Sequence, residues 1–398
     1  MRILLINAVY GYRSTGTIVK DIYELLVHQK DSPSVICMDS SIKASNVIVA
    51  YSRLSNIIHA LLTRLFGMQG CWSKYVTNRL IKQIEKLNPD IVHLHNLHSN
   101  FINLPLLINY CSVNNKPVII TLHDCWYFTG KCYHFEDVGC ERWKLGCGKC
   151  PKQKMDIPSI LCDLSSKTFK IKKKVFGSVR HLYVVGCSNW ITEKAKLSPI
   201  LSNAQFCTIL NGVDTNIFSP IQPNINRQKY FTVMVMANKW FLPENENLRQ
   251  ELNSWLSPKF RLKVIGCSSE QLSKCKNSDY LQYFGYTNNR NELAEHYRTA
   301  DVFLNVTFID TLPTVNMEAI CCGTPVITYR SGGSPELVTE GITGYVVDQN
   351  DISGVKNALN KIKDGLIDRS ECARIGKENF DKTVNYQKYI NLYNQILS

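Results

Sequence analysis

The sequence predicts an α/β protein of two domains, each built on a parallel β-sheet. Short apolar segments alternate with amphipathic segments along the chain, which is the pattern of strands and helices that follow each other in turn. The length of 398 residues exceeds the usual size of a single domain. Apolar residues make up 44% of the chain, which is enough to fill two cores.

The first predicted strand covers residues 3–9 and leads through a loop from Gly11 to Gly16 into a helix over residues 17–28. The apolar start of the chain is short and has the pattern of a strand, not of a signal peptide, so we expect an intracellular protein. A glycine in such a loop lets the backbone approach a ligand phosphate. Many strand-to-helix turns contain a glycine, so this loop alone is a weak indication.

Polar side chains follow two later strands at the points where these strands end. His95, Asn96 and His98 close one buried strand. His123 closes the next buried strand, over residues 117–122. The carboxyl ends of parallel strands face the crevice in which an open α/β sheet binds ligands. For the first three residues, turn capping and core hydrogen bonding are an alternative of equal weight.

A cysteine-rich insertion is predicted over residues 125–151. Its spacing, C-x7-C-x6-C-x2-C, ends in a pair that can bind one tetrahedral metal ion. The first pair is more widely spaced than in a common zinc finger, and Cys125 or His134 could replace a ligand. Free thiols and disulfides are the alternatives, and the absent signal peptide disfavours disulfides. We predict a structural Zn²⁺ with a closed set of four ligands: Cys132, Cys140, Cys147 and Cys150.

A turn and a proline-containing connection predict the domain boundary. Asn211–Gly212 has the composition of a tight turn, and Pro220 and Pro223 follow it. We therefore expect the first domain to cover residues 1–210 and the second to cover residues 211–375.

The most informative segment, residues 308–336, has the pattern of loop, helix, strand and glycine turn. Thr314 can cap the helix, whose start offers free N–H groups to a phosphate. Glu318 lies one turn further on the same face, where a carboxylate can accept from the vicinal hydroxyls of a ribose. Asp310 lies on the preceding loop and can reach a sugar beyond the phosphates. This layout predicts a nucleotide-sugar site.

This segment resembles the donor site of the retaining GT-B glycosyltransferases of family four. Their signature is an acid, seven residues, a Glu, then Ala-x-x-x-Gly-x-Pro-Val and a Gly-Gly turn. Here the first acid is Asp310, where the family more often has Glu. The amino-acid sequence around Glu318 is similar to that of bacterial members that build capsule and O-antigen polysaccharides. The resemblance implies two Rossmann-like domains that face each other across a cleft, with a C-terminal helix, residues 376–398, crossing back to the first domain.

The resemblance also implies roles for individual residues. Glu318 would hold the ribose, and Asp310 and His123 would contact the donor sugar near the reacting bond. His95, Asn96 and His98 would contact the acceptor. The diphosphate would be held by residues of two helix starts: Gly16, Thr17, Thr314, Val315 and Asn316. No enzyme base and no catalytic metal or cofactor are needed if the leaving phosphate takes the acceptor proton, as is usually proposed for this family.

The chain departs from the family pattern early in the second domain. Family members usually have an Arg and a Lys there, six residues apart, which neutralise the departing diphosphate. The corresponding residues are Asn238 and Glu244, and an acid at the second position repels a diphosphate. Lys239, or else Arg261 or Lys263 on the next strand, could substitute.

The net charge of +13 favours an anionic partner. We find no nucleic-acid-binding module, so the inner face of the plasma membrane is the expected partner surface. Residues 54–68 form an amphipathic helix flanked by arginine, which we expect to pack on the first sheet or to line an acceptor groove, with a membrane interface as the alternative. In residues 167–176 we expect Phe169 and Phe176 to face inward and the lysines to face solvent, and a lipid-headgroup patch is the alternative.

The sequence thus predicts a cytoplasmic, peripheral glycosyltransferase. It would transfer a sugar, with retention, from a nucleoside diphosphate sugar to a lipid-linked saccharide in bacterial surface polysaccharide synthesis. A catalytically impaired GT-B subunit that binds nucleotide sugar or a partner transferase is the alternative, motivated by Asn238 and Glu244. A membrane-docked, zinc-stabilised scaffold is a third hypothesis, and the intact run from Asp310 to Glu336 argues against it.

Overall fold

Two structural units make up the described part of the chain. The computed structural model describes residues 1–220 and 230–398, so Pro223 lies outside the described residues. The units have these limits: residues 1–210 together with 386–398, and residues 211–385. Among the described residues, no helix has both the length and the apolar composition needed to cross a membrane.

The first unit is built on a seven-stranded sheet. Its strands are β1 (Ile3–Tyr10), β2 (Ser34–Ser40), β3 (Val47–Val49), β4 (Ile91–Leu94), β5 (Val118–Leu122), β6 (Leu182–Gly186) and β7 (Gln205–Thr208). Their spatial order is β3-β2-β1-β4-β5-β6-β7, and the neighbouring strands are parallel. The central strands β1, β4 and β5 are buried along their whole length, as their continuous apolar sequences require.

Helices connect these strands. They are α1 (Arg13–His28), α2 (Arg53–Phe66), α3 (Lys74–Leu87), α4 (Leu104–Val113), α5 (Ser165–Gly177) and α6 (Asn189–Lys196). The side chains of Asn103 and Ser188 cap α4 and α6 by accepting from backbone N–H groups of the first turn. Helix α1 begins four residues before the predicted start, so Gly16 lies inside the helix and not in the loop before it.

The second unit contains a six-stranded parallel sheet. Its strands are β8 (Phe231–Met236), β9 (Phe260–Cys267), β10 (Leu281–Gly285), β11 (Val302–Asn305), β12 (Val326–Tyr329) and β13 (Gly344–Val347). Their order is β10-β9-β8-β11-β12-β13. The helices are α7 (Ala237–Trp240), α8 (Glu246–Ser254), α9 (Ser269–Lys274), α10 (Arg290–Arg298), α11 (Thr314–Cys321), α12 (Ile352–Lys363) and α13 (Arg369–Phe380). A last helix, α14 (Lys382–Leu397), begins in this unit and belongs to the first unit from Tyr386 onward. The predicted α/β class with two Rossmann-like parallel-sheet domains is therefore confirmed.

The last helix, α14, supplies a layer of aromatic side chains to the first unit. Tyr386, Tyr389 and Tyr393 are buried in the same core cluster as β1 and α1. The Tyr393 hydroxyl lies 2.7 Å from His93 Nδ1, and the other ring nitrogen of His93 lies 2.8 Å from the Thr121 hydroxyl. The Tyr389 hydroxyl lies 3.1 Å from the same Thr121 oxygen. Helix α14 is thus fixed to the centre of the sheet by a buried polar network.

The predicted start of the C-terminal segment at residue 376 cuts through a helix. Helix α13 runs from Arg369 to Phe380 and belongs to the second unit. A Cβ added at Gly376 would come within 2.8 Å of the backbone nitrogen of Cys321, so this glycine lets α13 pack closely on α11. The segment that joins the first unit begins at Tyr386 instead.

We expect the change Tyr393→Phe to destabilise the first unit. It leaves His93 Nδ1 buried without its partner, which costs about 1–3 kcal/mol of unfolding free energy. Denaturant unfolding followed by circular dichroism measures this loss. The control is Tyr75→Phe at a tyrosine that is 72% exposed, for which we expect a change within about 0.5 kcal/mol. Equal stability of the two variants would contradict the anchoring role of the network.

Candidate functional site

Histidines from two strand ends meet at one edge of the first sheet. His95 follows β4 and His123 follows β5, and His95 Nδ1 lies 3.0 Å from His123 Nε2. The ring of His95 also lies 4.2 Å from that of His93. His95 is fully buried, whereas His123 is half-buried. His95 therefore matches the alternative of core hydrogen bonding. It holds the His123 ring through the contact between their nitrogens, and it has no exposed surface that an acceptor could contact.

Burial keeps these histidines neutral. It lowers the pKa of His123 to about 4, and it lowers the pKa of His95 well below its usual value. The neighbouring rings act in the same direction on His95, because a second positive charge is unfavourable beside a first. A neutral His123 can both donate and accept a hydrogen bond.

His98 and Asp124 form an ion-pair contact beside His123. His98 Nε2 lies 2.7 Å from Asp124 Oδ2, and the Trp126 backbone N–H donates to Asp124 Oδ1 over 2.8 Å. Burial alone would raise the pKa of Asp124, but His98 and the Trp126 N–H outweigh it, so this pKa lies below its usual value. Asn96 is half-buried, and its Oδ1 has no hydrogen-bond partner within the described chain. The predicted acceptor residues are thus close together, with His98 and Asn96 at the surface.

Gly16 and Thr17 lie in the first turns of α1. A Cβ added at Gly16 would lie 3.1 Å from the carbonyl oxygen of Val9, so packing of α1 on β1 accounts for this glycine. The Thr17 hydroxyl donates to the carbonyl of Arg13 over 2.9 Å. The glycine that occupies the turn is Gly11, with φ +81°. The predicted order of strand, glycine loop and helix matches the structure, but the loop is shorter than predicted, because the helix begins at Arg13 and takes in Gly16.

In the second unit, helix α11 starts without a side-chain cap. Pro313 stands at the cap position and forms no side-chain hydrogen bond, so the predicted capping by Thr314 does not occur. Thr314 is instead the first helical residue, and both Thr314 and Val315 are half-buried. The first N–H groups of a helix have no intrahelical acceptor, which leaves this start suited to an anion.

Glu318 lies one turn into α11 and is half-buried. The Tyr297 hydroxyl donates to Glu318 Oε2 over 3.2 Å. Burial raises the pKa of Glu318 to about 7, and the positive charge of Arg290 and the bond from Tyr297 partly oppose this rise. Tyr297 and Arg290 both come from α10, which no motif in the sequence distinguished.

The loop that carries Asp310 packs against the glycine turn after β12. A Cβ added at Gly332, which has φ +51°, would come within 1.8 Å of the Asp310 carbonyl oxygen. The Gly333 N–H donates to the same oxygen over 3.3 Å. One carboxylate oxygen of Asp310 accepts from the Leu312 N–H over 3.1 Å. The Gly-Gly pair therefore fixes the position of Asp310 relative to α11.

Several buried polar atoms near this loop lack hydrogen-bond partners among the described residues. The Asn316 carboxamide accepts from Asn305 Nδ2 over 2.8 Å, but its own Nδ2 has no partner. The same holds for three hydroxyls on β12 and the turn that follows it: Thr328, Ser331 and Ser334. Buried polar groups in proteins are nearly always paired, so a set of unpaired atoms points to a polar ligand. The sequence pattern predicted this turn, but it did not indicate a binding role for any of its hydroxyl groups.

Lys239 lies in the segment that follows the carboxyl end of β8, at the edge of the second sheet where the Asp310 loop also begins. Asn245 is fully buried, and its amide donates to the carbonyls of Lys239 over 2.9 Å and Val306 over 3.1 Å. The half-buried Lys239 forms no ion pair within the described residues. Asn238 and Glu244 are both exposed.

Arg261 and Lys263 do not fit the predicted substitute role. Both lie in the amino-terminal half of β9, whereas the Asp310 loop follows the carboxyl end of β11. The guanidinium of Arg261 lies 3.1 Å from the ring centre of Tyr230, and Lys263 Nζ donates to the Thr299 hydroxyl over 3.2 Å. These contacts occupy both cations away from the carboxyl ends of the strands.

Two details of the first unit differ from the prediction. In residues 167–176, Phe169 and Phe176 are buried and four lysines are exposed, as expected, but the fifth lysine is not. Lys172 is fully buried, with Nζ 3.7 Å from the ring centre of Trp126, because it ties α5 to the cysteine-rich insertion. Helix α2 buries polar His59 and Thr63 and leaves its apolar stripe exposed. His59 accounts for this orientation, since its two ring nitrogens bond to the Ser73 hydroxyl at 2.6 Å and to the Gly70 N–H at 3.2 Å.

The chain matches two families of glycosyltransferases in order along its length. Residues 15–147 match the model for glycosyltransferase family 4, and residues 245–379 match the model for glycosyl transferases group 1. The chain is 25% identical over 369 residues to the putative colanic acid biosynthesis glycosyl transferase WcaC of Escherichia coli (strain K12), covering 87% of each sequence.

Solved structures share the fold over the whole chain. A glycosyltransferase from Rickettsia africae ESF-5 has a TM-score of 0.67 at 16% identity, with 100% of this chain and 98% of that chain covered. Anabaena Alr3699/HepE in complex with UDP has a TM-score of 0.63 at 12% identity, covering 99% and 100%. Two parallel-sheet units, with a match to the family 4 model in the first and to the group 1 model in the second, identify a glycosyltransferase with the GT-B fold.

Proposed function

We propose that this protein transfers a sugar, with retention, from a nucleoside diphosphate sugar to a lipid-linked saccharide during synthesis of a bacterial surface polysaccharide. The arrangement around the start of α11 carries the proposal. There an uncapped helix start, a carboxylate one turn in and a carboxylate on the adjacent loop occur with unpaired buried polar atoms. The name of WcaC, which refers to colanic acid biosynthesis, supports a polysaccharide product.

A nucleotide sugar fits this chemistry in three parts. The N–H groups of Thr314 and Val315 would bind the diphosphate, since a helix start favours negative charge. The Asn316 N–H already donates to the Pro313 carbonyl over 3.1 Å, so Asn316 would contribute through its unpaired side-chain amide. The Glu318 carboxylate would accept from the ribose hydroxyls. Asp310 would accept from hydroxyls of the sugar to be transferred. The UDP bound to HepE, a structure with the same fold, is consistent with a nucleoside diphosphate as the donor.

His123 suits a binding role better than that of a general base. An effective base has a pKa near the working pH, whereas burial lowers the pKa of His123 to about 4. A neutral imidazole held by His95 can bond to sugar hydroxyls. In the retaining reaction that we propose, the leaving phosphate accepts the acceptor proton, so no catalytic metal or cofactor is required.

Lys239 is our candidate for neutralising the departing diphosphate. It follows the carboxyl end of β8, it forms no ion pair within the described residues, and Asn245 fixes its backbone to Val306. The alternative of an impaired GT-B subunit rests on Asn238 and Glu244. The match to WcaC over 87% of each sequence favours the enzyme.

We further propose that the protein works on the inner face of the plasma membrane, with α2 as the contact surface. Four apolar side chains on this helix are about half or more exposed: Leu54 (70%), Ile57 (56%), Ile58 (47%) and Leu61 (55%). Ile160 and Leu161 extend the patch, because their N–H groups bond to the carbonyls of Arg64 and Leu65. Helix α2 carries two arginines and no acid, which favours anionic headgroups.

The first experiment measures nucleoside diphosphate release from UDP-, GDP- and ADP-sugars, with and without lipid-linked acceptors. In Glu318→Gln, the loss of the carboxylate removes a charged hydrogen bond to the ribose, so we expect KM for the donor to rise about tenfold or more. Glu270→Gln, on the exposed helix α9, is the control and should match the wild type. If no donor is turned over even with acceptors, the impaired-subunit alternative replaces the proposal.

The change Lys239→Ala should lower kcat/KM by about tenfold or more, because it removes charge stabilisation of the leaving diphosphate. Lys239→Arg should retain most of the activity. In contrast, Glu244→Gln should not lower activity, since it removes a repulsive charge. Steady-state kinetics with the preferred donor measure all three variants. Full activity of Lys239→Ala would show that another cation does this work.

The lipid contact is tested by flotation with vesicles of phosphatidylglycerol and phosphatidylcholine. The double change Ile57→Ser with Leu61→Ser removes two exposed apolar side chains, and we expect it to abolish most vesicle binding. The control is Val113→Ser at the end of α4, a residue that is 76% exposed and lies outside the patch. Equal binding of both proteins would exclude α2 as the lipid-binding surface.

A further inference from the structure

Four thiols of the cysteine-rich insertion line one small cavity. Its volume of ≈ 10 Å³ is room for a single water-sized particle. The thiols belong to the predicted ligands: Cys132, Cys140, Cys147 and Cys150. The insertion has little regular structure to hold it, since it contains only single-turn 3₁₀ helices between β5 and residue 164. Residues from separate turns therefore converge on this cavity.

The turn that carries two of these cysteines has an unusual backbone. Cys147, Gly148 and Lys149 all have positive φ, at +56°, +104° and +47°. Such values are costly for residues with a Cβ and persist only where the surroundings impose them. Within this region, the Gly130 N–H donates to the Cys147 sulfur over 3.2 Å. This bond fixes the position of the Cys147 sulfur relative to the backbone at Gly130.

Two buried lysines beside the cavity lack a carboxylate partner. Lys131 is 2% exposed, and its ammonium donates to the Gln153 carbonyl and the Ser159 hydroxyl. Lys172 is 1% exposed, and its ammonium donates to the carbonyls of Trp126 and Thr129. Neither forms an ion pair anywhere in the described chain. Burying an ammonium without a negative partner is strongly unfavourable.

Both thiols and carboxylates surround these lysines. Cys150, Asp163, Cys132 and Asp156 act electrostatically on Lys131, and Cys71, Cys132, Cys147 and Asp124 act on Lys172. Four thiolates on one divalent ion would carry a net charge of two negatives, which suits a site between two buried lysines.

We propose that Cys132, Cys140, Cys147 and Cys150 bind one structural Zn²⁺ in this cavity. Soft thiolate ligands in a tetrahedral set suit zinc, and the cavity has room for one ion. Binding releases the thiol protons to solvent as four Zn–S bonds form. In residues 1–220 and 230–398 no three His, Cys, Asp or Glu side chains already have the arrangement of a metal site, so binding would require the thiols to turn toward the ion.

The site would order the loop that follows His123. Lys172 links α5 to the carbonyl groups of Trp126 and Thr129, and the Trp126 N–H holds the Asp124 carboxylate. A metal that fixes the insertion therefore also fixes Asp124 and its partner His98. With four protein ligands the ion has no open position, so its role is structural. This inference does not depend on the proposed donor or acceptor.

The test measures metal content on the whole protein, purified without an affinity tag in reducing buffer with no added metal. Mass spectrometry of the metals should find about one zinc per chain. Thiol titration of the native protein should detect about four more reactive cysteines after zinc is removed, whereas buried thiols such as Cys111 should stay protected in both states. Replacement of zinc by Co²⁺ should give the absorption of a tetrahedral tetrathiolate site, which does not require any variant to fold.

Matched variants locate the ion. Cys147→Ser and Cys150→Ser should lose most of the zinc, whereas Cys162→Ser, at a half-buried cysteine outside the cavity, should keep it. If a ligand variant fails to fold, the cobalt spectrum of the wild type shows whether four thiolates bind the ion. The proposal is overturned by a wild-type protein without zinc, by disulfides among the four cysteines in the intact mass, or by a cobalt spectrum without thiolate bands. Each readout is independent of transferase activity.

Discussion

Parallel strands deliver the residues that follow them to one edge of a sheet, and the candidate sites of both units depend on this constraint. In the first unit, β4 and β5 end beside each other and bring His95 next to His123. In the second, β8, β11 and β12 end at a common edge and are followed by Lys239, Asp310 and the Ser331 turn. Residues far apart in sequence become neighbours because the strands beneath them are hydrogen-bonded in register.

Desolvation determines much of the chemistry at these edges. The same burial that stabilises the sheets lowers the pKa of His93 and His123 and raises that of Glu318. Burial thereby moves the titration of the histidines away from neutral pH in the first unit and brings that of Glu318 toward neutral pH in the second. A ligand that supplies hydroxyl donors to Glu318 would stabilise its charged form, so substrate binding and ionisation are coupled at that residue.

From the sequence it was possible to predict the features that depend on regular patterns along the chain and those that depend on a short motif. Strand ends, the α/β class and the position of Glu318 on α11 follow from periodicity and spacing. Side-chain partners between distant segments do not: Gly16 serves helix packing, Lys172 is buried against Trp126, and Tyr297 reaches Glu318 from another helix. Helix α2 is the clearest case. Its amphipathic pattern predicts that the helix has one buried face, but the face that is buried is the one with His59 and Thr63, not the apolar one. There, the bonds of His59 decide the orientation.

The core position of α14 has a consequence for synthesis of the chain. Tyr386, Tyr389 and Tyr393 complete the first unit, yet they follow the whole of the second unit in the sequence. A ribosome therefore releases residues 1–210 long before their last packing layer exists. Until then the face of the sheet that α14 covers, including the buried His93, lacks its cover. Folding of the first unit therefore cannot finish before residues 386–398 are synthesised, and this apolar face stays uncovered during translation of the second unit.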